Sequence, residues 1–171
     1  MRKNTFTLTF ASLMAALSFT VMYLGTLTSI LDMTACAVCS CLTLVLYREC
    51  GKGATISAAA VCSVLCFVLL PDKTSAVLYV TVGAAYPLIH AFARSLNRTP
   101  AWCLKIVSAI CIIMLYVAAT FLFIPSEATV KMIIPAILLG LPCFIMLDVL
   151  LTRLMPLYEF RLRRYIVKQH K

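Results

Sequence analysis

The chain is poor in charge, and poorest in negative charge. Of its 171 residues only 12% are charged; six are acidic, against 15 Lys and Arg and two His. With 63% hydrophobic residues and a mean hydropathy of +1.03, this composition excludes a soluble globular domain. Chemical motifs are missing too. Gly51-Lys52-Gly53 lacks the spacing of a phosphate loop and the Ser or Thr that should follow, so the chain is not expected to hydrolyse nucleotide by itself. There is no G-x-S-x-G and no H-E-x-x-H, and no enzymatic activity or cofactor is expected. Nine cysteines are many, but Cys36-x-x-Cys39-x-Cys41 is followed by no second Cys or His pair with ligand spacing. They read as small apolar packing residues, with neither a metal site nor a disulfide framework expected.

What is present is a series of uncharged runs: Asn4 to Leu31, Met33 to Tyr47, Gly53 to Pro71, Thr74 to Ala93, Ile106 to Ser126 and Met132 to Leu147. About 20 apolar helical residues cross the ~30 Å hydrocarbon core of a bilayer. The runs therefore predict an all-α membrane protein, a single bundle of six transmembrane helices near 6–24, 33–47, 54–70, 75–93, 106–124 and 129–151, with a basic tail over 152–171. Breaks between runs alternate in charge. One side holds Arg2, Lys3, Arg48, Lys52, Arg94, Arg98, Lys105 and the tail with Arg153, Arg161, Arg163, Arg164, Lys168 and Lys171. The other holds only Lys73 and Lys131. The positive-inside rule puts both termini in the cytoplasm, as in a multi-pass protein of a bacterial plasma membrane. The net charge of +9 reads as attraction to anionic lipid, not as a nucleic-acid footprint.

Within this frame a few residues stand out. Tyr79, Gly83, Tyr86 and His90 recur at spacings of four, three and four, which puts them on one face of the fourth helix; Pro87 should loosen the backbone there. Aromatic hydroxyls beside a glycine suit a flat ligand. The same tyrosines also suit an interfacial belt and a packed core, and His90 a structural role. Asp32, Asp72 and Lys73 sit at helix ends on the outer side, where Asp32 also suits a helix cap. Asp148 is the one acid well inside a span, and such a carboxylate wants a partner; an inner-face arginine such as Arg153 or Arg94 is expected. Small residues repeat as Ala11-x-x-x-Ala15 and as Ala54, Ala58, Cys62 and Cys66, spacings that let helices approach closely in lipid.

Taken together, Ala11-x-x-x-Ala15, Tyr23-Leu24-Gly25 with Ile30-Leu31-Asp32, Leu70-Pro71-Asp72-Lys73 leading to Leu78-Tyr79, and Gly83 with Tyr86-Pro87 resemble the substrate-binding S component of energy-coupling factor (ECF) transporters. The resemblance spans nearly the whole length. It implies a vitamin-like small-molecule substrate bound in the outward half of the bundle, where charge and spacing already single out Asp32, Asp72, Lys73, Tyr79, Gly83 and Tyr86 as the ligand-binding candidates. It also implies a transmembrane coupling subunit docked on Ala11 and Ala15, and two cytosolic ATPase subunits. A different class also fits the composition: a non-transporting scaffold similar to MreD-type cell-shape proteins.

Overall fold

Why the described residues form almost nothing but helix follows from where their polar groups go. In a computed structural model, residues 2–28, 31–93, 98–123, 140, 142–154, 156 and 158 are described, and no strand occurs among them. Apolar surroundings offer the backbone no water, so every N–H and C=O must be satisfied inside the chain. α1 (Arg2–Thr28) even folds its hydroxyls back onto its own carbonyls: Thr9 Oγ1 donates to Thr5 O at 3.0 Å and Thr20 Oγ1 to Ala16 O at 2.9 Å.

α2 (Asp32–Leu69) is a helical hairpin. A straight helix of 38 residues would be ~57 Å long and would hold Cys36 and Cys66 ~45 Å apart. Instead both are buried in one core cluster. The reversal occurs at Gly51, where φ is 79° and ψ 179°, backbone that only glycine adopts without strain. This fold point lies in the break between the expected spans 33–47 and 54–70. Each leg is then about 27 Å long, close to the thickness of the hydrocarbon layer.

The next span opens at Asp72, whose carboxylate accepts from the Thr74 N–H at 3.1 Å and so caps α3 (Lys73–Leu78). It continues as a π-helical segment (Tyr79–Ala85) and ends as α4 (Tyr86–Ala93). α5 (Arg98–Phe123) starts earlier than expected. The expected fifth span, 106–124, therefore gains residues at its start, and Trp102 and Lys105 are helical. Residues 142–154 form a further helical stretch.

Four helical stretches are long and apolar enough to cross a membrane: Thr5–Thr28, Asp32–Leu69, Lys73–Ala93 and Trp102–Ala119. The expected count of six is not reached among the described residues. The expected sixth span is described only at 140 and from 142 onward. Pro125, Ser126, Glu127, Lys131 and Arg94, and the basic tail from 159 to 171, lie outside the described residues.

Packing is arranged as lipid demands. The interior uses small or mildly polar side chains such as Cys39, Ser40, Thr55 and Ala76, all fully buried. Long aliphatic chains point outward, with Leu8 73% exposed, Val68 70% and Met146 78%. In water such a surface would drive aggregation, whereas in a bilayer it meets acyl chains of equal polarity. At one end of the bundle the two helices nearly touch: a Cβ placed on Gly25 would lie 2.5 Å from Ala35 Cβ.

Candidate functional site

The span Lys73–Ala93 carries a break at its centre, and the break explains the residues around it. The Tyr86 N–H reaches back five residues to Thr81 O, not four to Val82 O. Pro87 is the cause. It has no N–H, and its ring crowds the carbonyl of residue 83, so the chain widens into a π turn. Val82 O thereby loses its α-helical donor, Tyr86, and its π-helical donor would be Pro87 itself. Gly83 O loses the N–H that an ordinary residue at 87 would supply.

Both carbonyls are served by the neighbouring helix. Ser40 Oγ donates to Val82 O at 2.8 Å, and Thr43 Oγ1 to Gly83 O at 3.0 Å. One turn away the Cys36 thiol donates to Leu78 O at 3.4 Å. Cys36, Ser40 and Thr43 lie at i, i+4 and i+7, so one face of the first α2 leg serves as a row of donors. Each hydroxyl has a single proton, and each also lies 2.9 Å from a carbonyl of its own helix, Cys36 O for Ser40 and Cys39 O for Thr43. The two acceptors compete for that proton.

At the end of the bundle where α1 finishes, acids collect. Ser75 Oγ lies 2.7 Å from Asp32 Oδ2 and 3.3 Å from Asp72 Oδ2, so one hydroxyl proton is shared between two carboxylates. Thr74 Oγ1 also donates to Asp72 Oδ2, at 2.7 Å. Asp32 Oδ1 is buried and has no hydrogen-bond partner among the described residues. Lys73, the adjacent cation, instead turns its ammonium to Phe67 O at 2.8 Å and Leu70 O at 3.2 Å, closing the end of α2. Asp72 is thus served by Thr74, and Asp32 Oδ1 is the acceptor left over among the described residues.

The opposite end holds a second polar cluster. Tyr86 OH donates to Asp148 Oδ1 at 2.6 Å, and Lys105 Nζ lies 2.9 Å from Oδ1 and 3.0 Å from Oδ2. His90 Nε2 is 3.5 Å from Asp148 Oδ1 and 3.3 Å from Thr152 Oγ1. The partner of Asp148 is therefore a lysine on α5, not the arginine expected at Arg153; Arg94 is outside the described residues. Lys105 precedes the expected span 106–124, and only the early start of α5 brings it to face the 142–154 helix.

The expected ligand residues consequently do not form one group. Asp32 and Asp72 meet through Ser75, and Lys73 is beside them but turned to the backbone. Tyr79 is fully buried with its ring over Gly83, where an added Cβ would lie 2.9 Å from Cδ2. Tyr79 belongs to the core cluster with Cys62 and Cys66, whereas Tyr86 packs in a second one against Phe144, ring centroids 4.4 Å apart. The face shared by Tyr79, Gly83, Tyr86 and His90 was counted on an unbroken helix, and the π turn interrupts it. Ala11 is buried and Ala15 packs on the core, its carbonyl 3.6 Å from the Cys62 thiol, so this pair faces the second α2 leg.

A crevice between α1, both α2 legs and the π segment is lined by Met14, Ser18, Thr43, Thr55 and Tyr79 among others. Its internal space of about 10 Å³ has room for about one water molecule. All nine cysteines are free thiols. Sequence reasoning missed Ser40, Thr43 and Ser75. For the first two a signal existed: hydroxyls at helical spacing in one span, and a proline inside another. Compared with known proteins, the chain matches no family model, no curated protein and no solved structure.

Proposed function

We propose that the chain is the membrane-embedded substrate-capture subunit of an ATP-driven uptake transporter for a vitamin-like micronutrient, an ECF-type S component. In this reading six helices span the bacterial plasma membrane, both termini are cytoplasmic, and the Asp32–Ser75–Asp72 cluster opens to the outside. The observation that carries the reading is the uncompensated acceptor at that mouth. Asp32 Oδ1 is buried without a partner among the described residues, and two carboxylates share the one proton of Ser75. A buried acceptor left unpaired costs about 1–3 kcal/mol, and a solute that brings donors to the mouth recovers it. Energy comes from two cytosolic ATPases acting through a transmembrane coupling subunit. Because Ala11 and Ala15 face inward, the coupling subunit docks on the neighbouring exposed face of α1 at Ser12 and Ala16.

Native mass spectrometry of the detergent-purified protein tests this. The expected result is a retained small molecule, lost in Asp32→Asn and Asp72→Asn variants that still fold, together with co-purification of an ATPase pair. Recovery of cell-wall synthesis enzymes with no bound solute would instead establish the scaffold reading.

A further inference from the structure

We propose that Tyr79–Ala85 is a two-register hinge, switched by which carbonyl the Ser40 hydroxyl serves. In the register seen here the Tyr86 N–H bonds Thr81 O, and Ser40 covers Val82 O at 2.8 Å. A second register is fully bonded at the same atoms. The Tyr86 N–H moves to Val82 O, its α-helical acceptor, the Ala85 N–H takes the Thr81 O so released as the turn rewinds, and Ser40 turns its proton to Cys36 O, already 2.9 Å away. Thr43 keeps Gly83 O in both, since Pro87 offers no N–H in either. No backbone hydrogen bond at these positions is lost in the exchange, and this is the condition for two states of similar energy inside a membrane span.

The switch acts on both ends of the span. Rewinding one residue turns everything after it by ~100° about the helix axis relative to what precedes it. Residues 73–78 carry Ser75, whose hydroxyl lies on both Asp32 and Asp72, and residues 86–93 carry Tyr86 and His90 against Asp148. Winding into the α register therefore takes the Tyr86 hydroxyl off Asp148, a 2.6 Å bond that holds the present register in place. The acid cluster at one end and the Lys105–Asp148 pair at the other are thereby coupled through a single turn of backbone. The crevice lined by Thr43 and Tyr79 lies against this turn and changes shape with it.

The glycine content makes the hinge directly observable. Of the five glycines only Gly53 and Gly83 precede alanine. Protein labelled with carbonyl-13C glycine and 15N alanine, in lipid nanodiscs, therefore yields two correlated NMR signals, Gly53–Ala54 and Gly83–Ala84. We expect the Gly83–Ala84 signal to be doubled or to show exchange on the μs–ms scale of helix register shifts. Tyr86→Phe should shift it toward the second state, and Pro87→Ala should leave one sharp signal at an α-helical carbonyl shift. Gly53–Ala54 should not respond to either change. A single sharp Gly83–Ala84 signal in the unmodified protein, free of exchange and unmoved by Tyr86→Phe, would overturn the proposal.

Discussion

Thr43 Oγ1 lies 3.0 Å from Gly83 O, the carbonyl that Pro87 four residues later leaves without an N–H. A side chain of one helix thus completes the backbone of another. Thr43→Val keeps the shape and removes the donor, so a buried acceptor is stranded at a cost of about 1–3 kcal/mol. Thr43→Ser should cost little. Pro87→Ala restores an N–H at residue 87, so in that background the loss from Thr43→Val should shrink. Thermal unfolding of the four proteins in one detergent gives the cycle; equal Thr43→Val losses in both backgrounds would falsify the assignment.

This pairing also marks what the sequence did and did not disclose. The spans were legible because a bilayer imposes a length on every uncharged run, and the turn near Gly51 because charge and glycine interrupt one. Which helix faces which was not legible. Ala11 and Ala15 have the spacing of a docking face, yet nothing in the spacing says that the face is taken by the second α2 leg. The tyrosine stripe divides into two pairs, Tyr79 with Gly83 and Tyr86 with His90, for another reason. Counting at 3.6 residues per turn presumes an unbroken helix, and Pro87 widens one turn between Tyr79 and Tyr86. Asp148 was recognised as needing a partner, but Lys105 is 43 residues away, and only the packing of α5 identifies it.

Lys105 and Asp148 are each a little over one-fifth exposed, so the pair is mostly removed from water. Breaking such a pair from one side strands a charge and costs about 3–5 kcal/mol at full burial, less here for the solvent that remains. We expect Lys105→Met to lower the unfolding midpoint more than Asp148→Asn does, because the latter keeps an acceptor for Tyr86 and removes the charge. The double variant Lys105→Met, Asp148→Leu should recover part of the loss. A midpoint for Lys105→Met at that of the unmodified protein would show the pair to be energetically idle.

Gly25 and Ala35 set the distance between α1 and the first α2 leg. The 2.5 Å separation between a Cβ at 25 and the existing Cβ of Ala35 is shorter than real carbon pairs permit. Gly25→Ala must push the helices apart, and we expect overpacking of about 1–3 kcal/mol. Ala35→Gly opens the same space from the other side, so it should relieve the defect when combined with Gly25→Ala although it gives up a helix-favouring residue. Folded yield by size-exclusion chromatography distinguishes the cases. A double variant no better recovered than Gly25→Ala would place the clash elsewhere.

Two glycines two positions apart, Gly51 and Gly53, should respond in opposite directions to the same change. Neither has an atom within 4 Å of an added Cβ, so steric contact with the rest of the bundle plays no part. Gly51 alone has a positive φ, 79° with ψ 179°, in a region that side-chain-bearing residues enter only at about 1–3 kcal/mol. Because the hairpin reverses there, Gly51→Ala strains the one point that brings Cys36 beside Cys66. Asn, which tolerates the left-handed helical region, should not rescue it, since ψ lies far from that well. Gly53 sits in helix with ordinary φ, and Gly53→Ala should add up to about 1 kcal/mol through helix propensity. The two variants, compared by thermal unfolding, should fall on either side of the unmodified protein. A destabilised Gly53→Ala beside a neutral Gly51→Ala would mean that the chain reverses somewhere other than residue 51.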